Sequence, residues 1–213
     1  MAPSNLLELP EPWKYIYSER REAIRVRLND YSSVPKDEHF YELLFCVLTP
    51  QSSARNADAT IGKLKAERFR DTGFDPTHIL RDPSHYIRFH NTKAKRLLAI
   101  RDTFTDLEKI LYAEYPSNTH LRNTLRVAVP GFGLKESSHF LRNIGFRDLA
   151  ILDRHILKHL IQLKIISRIP TSLTDKKYFT IEKKWKKYAT SIGISIDELD
   201  LLFWSMETGE ILK

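Results

Sequence analysis

Lys135 and Asp153 are the two residues whose types and positions most suggest covalent chemistry. Lys135 follows the segment Pro-Gly-Phe-Gly-Leu at 130–134 and lies in the first turn of a predicted helix. The helix dipole disfavours further positive charge at that end, which favours a neutral, nucleophilic amine. Asp153 stands directly before another helical pattern, where it is expected to be an N-cap. Together they suggest a nucleophile and a partner carboxylate, although each alone is more often an ordinary surface lysine or helix cap.

Two helices joined by a tight hairpin are expected to position Lys135. The first ends at Val129-Pro130, and the second runs from about Leu134 to Asn143. Gly131 and Gly133 permit backbone angles closed to other residues and leave amide N–H groups uncovered. Amides at the positive end of a helix suit a DNA phosphate, although such a hairpin is also a common helical connection.

The remaining sequence predicts an all-α protein with roughly ten helices and no paired strands. The most apolar helix, over about 36–49, is expected to be central. Ser52 or Ser53 caps the next helix, Asn91 caps a later one, and Thr105 begins another. Further helices are expected over about 13–29, 176–192 and 196–207.

Composition limits the partners. The 213 residues include 34 Lys and Arg against 27 Asp and Glu, with a pI near 9.4, so a polyanion is expected. The single cysteine, Cys46, excludes an intramolecular disulfide framework and any four-cysteine metal site. No metal-ligand spacing is visible, so catalysis is expected to need neither metal nor cofactor. Without a signal peptide or long apolar segment, the protein is expected to be soluble, intracellular and not membrane-bound.

Several motifs together resemble a known family. Pro-Gly-Phe-Gly-Leu-Lys at 130–135, followed by Leu-Asp-Arg-His at 152–155, resembles the helix-hairpin-helix DNA glycosylases of the endonuclease III superfamily. Residues 131–143 are similar to the second class of 8-oxoguanine glycosylase/lyases, found mostly in archaea. Segments 48–53, 88–94 and 208–213 are also similar, so the resemblance covers nearly the full length. The lack of a cysteine cluster fits this branch of the superfamily.

The resemblance implies a two-lobed, all-α fold with the active site in the cleft between the lobes. A helical-barrel lobe over 33–146 would carry the hairpin, and 1–32 with 147–213 would form the second lobe. The implied activity is base-excision repair by a monomer acting on duplex DNA that contains 8-oxoguanine. Lys135 would attack C1′ of the flipped nucleotide with help from Asp153, and the resulting Schiff base would allow strand cleavage by β-elimination.

The resemblance also implies roles for five further residues. Gln51 would fill the space that the flipped nucleotide leaves, Phe89 would wedge into the base stack, and Lys93 would contact DNA. Trp204 and Lys213, with the terminal carboxylate, would contribute to the base pocket. Gln51 as a plain loop residue, and Phe89 and Trp204 as buried aromatics, remain the ordinary alternatives.

Two other functions fit the same residues. A related bifunctional glycosylase for another damaged base would share Lys135 and Asp153 and differ only in its pocket. A noncatalytic helix-hairpin-helix module would bind the DNA backbone and leave both residues without a chemical role. The lysine-rich run at 176–187 is interpreted as a solvated helix face.

Overall fold

The computed structural model describes residues 8–211, and within that range it contains only helices and connecting segments. The predicted all-α class is therefore confirmed. The eleven α-helices of the described range, α1 to α11, are Trp13–Ser32, His39–Leu48, Ala54–Ala66, Phe69–Thr72, Thr77–Arg81, His90–Leu111, Asn118–Ala128, Leu134–Asn143, Arg154–Gln162, Asp175–Ile192 and Ile196–Thr208. Short 3-10 turns precede α2 and α6. No helix among these residues is long and apolar enough to cross a bilayer.

The described residues form two compact units. One is continuous and comprises Val34–Ile144. The other combines the described residues up to Ser33 with those from Gly145 onward, so it draws on segments far apart in sequence. Lys135 belongs to the continuous unit and Asp153 to the discontinuous unit.

Helix α2 is the centre of the continuous unit, as its apolar sequence predicts. Every residue of α2 except Tyr41 is buried, and the helix packs against α3, α6 and α8. Cys46 is fully buried within it, and this burial raises the pKa of its thiol well above the ordinary range. Cys46 is therefore a small core residue.

Helix α6 differs from the sequence prediction. It runs unbroken over His90–Leu111, with neither Asn91 as its N-cap nor a new helix at Thr105. One buried stripe continues through the predicted break, because the residues facing the core keep helical spacing and no Pro or Gly interrupts them. The members of that stripe are Ala94, Leu97, Ile100, Phe104, Leu107 and Leu111.

The discontinuous unit is organised around α11, which packs against α1, α9 and α10. Its two separate segments are joined near the points where the chain leaves and re-enters the unit. Gly145 has φ +96°, and a Cβ there would lie 2.9 Å from the Cα of Ser32, so only glycine fits. The guanidinium of Arg147 donates to the carbonyl of Leu28 and to the hydroxyl of Ser32. These contacts hold the end of α1 against the chain that re-enters the unit.

Candidate active site

The hairpin between α7 and α8 has the predicted form, and the two helices pack against each other. The amide of Phe132 donates to the carbonyl of Val129 at 3.1 Å, which closes the turn. Gly131 has φ +87°, and the guanidinium of Arg96 packs so closely that a Cβ at this position would lie 2.6 Å from its Cζ. The backbone angle favours glycine here, and a side chain would in addition displace the guanidinium of Arg96.

Gly133 corrects one expectation, because its amide is not uncovered. It donates at 3.1 Å to Oε2 of Glu136, the third residue of α8. This is the backbone half of a capping box, and a Glu three residues after an N-cap is its sequence signal. The amides of the first turn of α8, which lack intrahelical acceptors in any α-helix, are the hairpin donors that suit a phosphate.

Lys135 occupies the second position of α8, in the first turn as predicted. Its side chain is 26% exposed, so the stem is packed while the amine is reachable from solvent. The ammonium lies 3.7 Å from a carboxylate oxygen of Glu136. The amine is therefore held close to the hairpin turn and remains accessible to a large substrate.

Asp153 is the N-cap of α9, which confirms that structural prediction. Its Oδ1 accepts a hydrogen bond of 2.8 Å from the amide of Ile156. The preceding residues Ile151 and Leu152 are buried and fix the approach to the helix, while Asp153 itself is half-buried. The carboxylate is thus rigidly oriented by its own helix.

Trp204 lies on α11 beside a cluster of polar side chains in the same unit. Its ring is 5.4 Å from the ring of His155. Glu207 connects the cluster, with carboxylate oxygens 3.1 Å from Nδ1 of His155, 3.0 Å from the amine of Lys158 and 3.3 Å from Nε2 of His159. The hydrogen bond from Lys158 is the largest influence that lowers the pKa of Glu207.

Glu207 was not predicted from the sequence, in which only His155 and Trp204 stood out in this region. The signal that would have found it is its position three residues after Trp204, which places the two on one face of α11. Trp204 is partly buried, so it is neither a fully enclosed core residue nor a free surface ring. The cluster holds that ring next to the first turn of α9, where Asp153 is the cap.

Gln51 and Phe89 lie in two loops of the continuous unit, and both are unusual. Gln51 is exposed with φ +59°, and Phe89 is 50% exposed with φ +60°. Left-handed backbone is uncommon for residues other than glycine and is rare for bulky ones. The buried-aromatic interpretation of Phe89 is therefore wrong.

Lys93 corrects another expectation, because its amine is not available to DNA. The residue is 2% exposed, and its Nζ donates to the carbonyls of Leu48 and Pro50, both at 2.7 Å, and to the hydroxyl of Ser52 at 3.3 Å. Burial, followed by the nearby charges of Arg96 and Lys135, lowers its pKa to about 8. Sequence alone places a lysine at the surface by default, and no local signal indicates these acceptors.

Two other predicted features have different outcomes. Lys213 lies outside the described residues, and its role in the base pocket stays a prediction. The lysine-rich run lies within α10. Its exposed members are Lys176, Lys177, Lys183, Lys184 and Lys187. Exposure of these lysines agrees with a solvated helix face, and the absence of phosphate contacts stays a prediction.

Three features define the class of protein. They are an all-α fold, a helix-hairpin-helix with a lysine in the first turn of its second helix, and an aspartate that caps a later helix. That class is the helix-hairpin-helix DNA glycosylases. Comparison with known proteins leads further. Residues 24–194 match the sequence profile of the 8-oxoguanine DNA glycosylase family. The 8-oxoguanine DNA glycosylase/AP lyase of Fusobacterium nucleatum is 37% identical over 208 residues, which cover 93% of this chain and 94% of that protein.

Two crystal structures are also similar at 28% identity. The Methanocaldococcus jannaschii 8-oxoguanine glycosylase/lyase in complex with a 15mer DNA containing 8-oxoguanine has a TM-score of 0.81 and is matched over 94% of this chain and 99% of its own. The 8-oxoguanine DNA glycosylase of Thermotoga maritima has a TM-score of 0.82, with 94% and 96% covered. The chain belongs to the 8-oxoguanine DNA glycosylase family. The resemblance stated from the motifs is confirmed.

Proposed function

We propose that this protein excises 8-oxoguanine from duplex DNA and then cleaves the strand at the same site. The observation that carries the proposal is the reachable amine of Lys135, packed along its stem in the first turn of α8 directly after the hairpin. A glycosylase that activates water needs no amine at this position. A positioned amine adds covalent catalysis and therefore lyase chemistry.

The reaction begins when the damaged nucleotide leaves the stack, because C1′ is inaccessible while the base is paired. Once it has given up a proton, the amine of Lys135 forms a bond to C1′ as the C1′–N9 bond breaks, and the base departs with the bonding electrons and takes up a proton. The amine loses its proton, the sugar ring opens, and a Schiff base joins Lys135 to C1′. Loss of a proton from C2′ then expels the 3′ phosphate.

Asp153 acts on the same sugar in this proposal. Its carboxylate stabilises the positive charge that develops at C1′ or accepts the proton that the lysine amine releases. The N-cap bond to Ile156 fixes the direction of the carboxylate, so little reorganisation is needed during the reaction.

The remaining predicted residues recognise the lesion and the distorted duplex. Phe89 wedges between bases, and Gln51 takes the place of the extruded nucleotide; exposure of both side chains supports these roles. Trp204, held by the Glu207 cluster, stacks on the extruded base. The hairpin at Gly131 and Gly133 binds backbone phosphate, and the protein works as a monomer within the cell.

Borohydride trapping on a duplex with one 8-oxoguanine tests the proposal, because reduction fixes a Schiff base as a permanent protein–DNA bond. We expect a covalent adduct with the wild-type protein and none with Lys135→Gln. Lys109→Gln is the matched control, since Lys109 is exposed and pairs with neighbouring Asp106. Tight binding without any adduct would contradict the proposal, and a panel of other damaged bases would then separate a different substrate from a binding module.

A further inference from the structure

Two exposed loops of the continuous unit carry residues in left-handed backbone. The loop between α2 and α3 contains Gln51, and the loop before α6 contains Phe89. Such conformations cost free energy for residues with side chains and persist only where the surrounding contacts enforce them. A residue that stabilises the left-handed conformations of both Gln51 and Phe89 must contact both loops.

The amine of Lys93 is the group at the base of the Gln51 loop. It lies on the first turn of α6, and its Nζ donates to the carbonyls of residues on either side of Thr49 and to the hydroxyl of Ser52. Three donors therefore meet three oxygen acceptors over residues 48–52. The backbone of this loop is tied to a single buried point.

Ser52 extends the network to the second loop. Its hydroxyl accepts a 3.0 Å hydrogen bond from the amide of Arg88, the residue directly before Phe89. The side chain of Asn56 adds a parallel link by donating to the carbonyl of Tyr86 at 3.0 Å. The amide of Lys93 itself donates to the carbonyl of Phe89 at 3.0 Å. The two loops are thus cross-linked to each other and to the start of α6.

A buried ammonium is a costly way to join loops. Its acceptors are neutral oxygens, and the charged groups that act on it, Arg96 and Lys135, are both cationic. Apolar side chains of similar size generally stabilise a core at least as well as a buried charge. The free-energy cost of burying this charge indicates that the lysine serves to fix the geometry of the loops rather than to increase stability.

We propose that Lys93 is a positioning residue that holds the loops of Gln51 and Phe89 as one rigid unit, so that both side chains enter the duplex together at the lesion. The inference rests on the proposed function of those two loops. It replaces the expected DNA contact of Lys93 with an indirect role. Lesion recognition and base extrusion then depend on Lys93, while chemistry on an already abasic sugar depends on it far less.

Lys93→Met tests this proposal, because methionine keeps the apolar stem and removes all three donors. The first readout is 2-aminopurine placed beside 8-oxoguanine, whose fluorescence rises when the stack opens; a Lys135→Gln background keeps the DNA intact. We expect Lys93→Met to lose most of this rise at saturating protein. Single-turnover excision of 8-oxoguanine, measured with Lys135 present, should slow by about tenfold or more.

The second readout separates positioning from folding. Cleavage of a duplex with a preformed abasic site needs no base to be extruded, so we expect Lys93→Met to change it by less than about threefold. Lys109→Met is the matched control on the same helix and should alter neither rate. Wild-type fluorescence and excision in folded Lys93→Met would overturn the proposal, as would equal losses on both substrates.

If Lys93→Met does not fold, Ser52→Ala tests the proposal instead. It removes the hydroxyl that accepts from both the amine of Lys93 and the amide of Arg88. It should reproduce the selective loss. Gln51→Ala and Phe89→Ala separate the positioning role of Lys93 from the proposed roles of the two loops. If they abolish the fluorescence rise while Ser52→Ala and Lys93→Met do not, the proposed function stands and the role of Lys93 falls. If neither alanine variant has an effect, the proposed roles of both loops fall as well.

A pH profile gives an independent readout. Above its pKa of about 8, neutral Lys93 has one donor fewer for the same three oxygens. Loss of Lys135 removes one of the two cations that lower the pKa of Lys93, so that pKa lies above about 8 in the Lys135→Gln background. The fluorescence rise of this background should therefore decline as pH rises through the higher value, and the same background with Lys93→Met should lack this step. Arg96 is the remaining cation near the amine in that background and stays charged throughout. An identical pH profile in both proteins would contradict the proposal.

Discussion

In the proposed mechanism the carboxylate of Asp153 has a structural and a chemical task, and the two can be separated by substitution. Its Oδ1 caps α9, a task that an amide oxygen performs equally well. Its negative charge is needed only if it acts on the sugar. Asparagine therefore keeps the first task and removes the second.

We expect Asp153→Asn to fold normally and to lose base excision by about 100-fold to 10,000-fold, the usual range for a general acid or base. Asp153→Ala should show the same loss of activity and, in addition, about 1 kcal/mol lower stability from the missing cap. Single-turnover excision and urea unfolding measure the two effects. Wild-type excision by Asp153→Asn would reduce Asp153 to a helix cap.

His159 gives the protein a pH-dependent stability. Its imidazole is buried, accepts a 3.1 Å hydrogen bond from the indole of Trp13 and stacks on Phe203. Burial lowers its pKa below the ordinary 6.5, although the nearby Glu207 opposes this. The unfolded chain therefore binds more protons than the folded one between the lowered pKa and 6.5.

The free energy of unfolding is expected to fall as pH decreases through 6.5, until the folded-state pKa of His159 is passed. Urea unfolding at several pH values between about 5 and 7.5 measures this dependence. His159→Gln should be less stable overall but should show a shallower pH dependence in that window. Glu207 acts at lower pH, because its stabilisation is complete above 4.5 and is lost as pH falls through its own lowered pKa. An unchanged slope in His159→Gln would contradict the assignment.

Residue type and local position were enough to predict where Lys135 and Asp153 lie within their helices. Both signals are local, since a hairpin fixes one and a helix start fixes the other. The environment of Lys93 could not be predicted in this way. Its acceptors belong to residues more than forty positions earlier, and they converge only when α2 and α6 pack.

At the scale of elements, the hairpin between α7 and α8 depends on the glycine at position 131. Gly131 has positive φ and touches Arg96, whereas Gly62, inside α3, has open space where a Cβ would be placed. The same substitution should therefore have opposite effects at the two sites. This makes Gly62 a natural control.

We expect Gly131→Ala to lower stability by about 1–3 kcal/mol through backbone strain and displacement of Arg96. Gly62→Ala should raise stability by about 0.4–1 kcal/mol, because alanine restricts the unfolded chain at no cost in the helix. Thermal or urea unfolding compares them. Duplex affinity should fall only for Gly131→Ala. Equal stability of the two variants would show that the hairpin tolerates a side chain.

Helix α6 shows why a helix boundary can be misread. Thr105 has the residue type of a cap, but its preference is weak compared with the burial of Phe104 and Leu107 on either side. Continuous packing along the core outweighs the local preference. Ser117 has a similar residue type and does cap a helix, α7, where its hydroxyl accepts a hydrogen bond from the amide of His120.

At the scale of the whole molecule, a net charge of +7 favours association with any polyanion. Affinity for undamaged duplex should fall steeply with salt, by a factor on the order of a hundred to a thousand between about 50 and 200 mM. A fluorescence-anisotropy titration at several salt concentrations gives the slope. A flat dependence would contradict a phosphate-dominated interface.

The double variant Lys183→Gln, Lys184→Gln tests whether the lysines of α10 contribute to this salt dependence. Both side chains are exposed on α10, and we interpret this face as solvated rather than bound to DNA. The salt slope should therefore be unchanged. A slope smaller by about two would show that both lysines contact phosphate.

The joining of α1 with α11 in one unit sets an order of events during synthesis on the ribosome. Val34–Ile144 is continuous, so all its helices emerge before the last partner of α1 has been translated. Domains generally fold as soon as their chain is available. The continuous unit, which contains Lys135, can therefore fold while the side of α1 that packs against α11 is still exposed to solvent. A nascent chain arrested before α11 would present Lys135 without the unit that contains Asp153 in its native form. Such a chain would be a target for chaperones rather than a working enzyme.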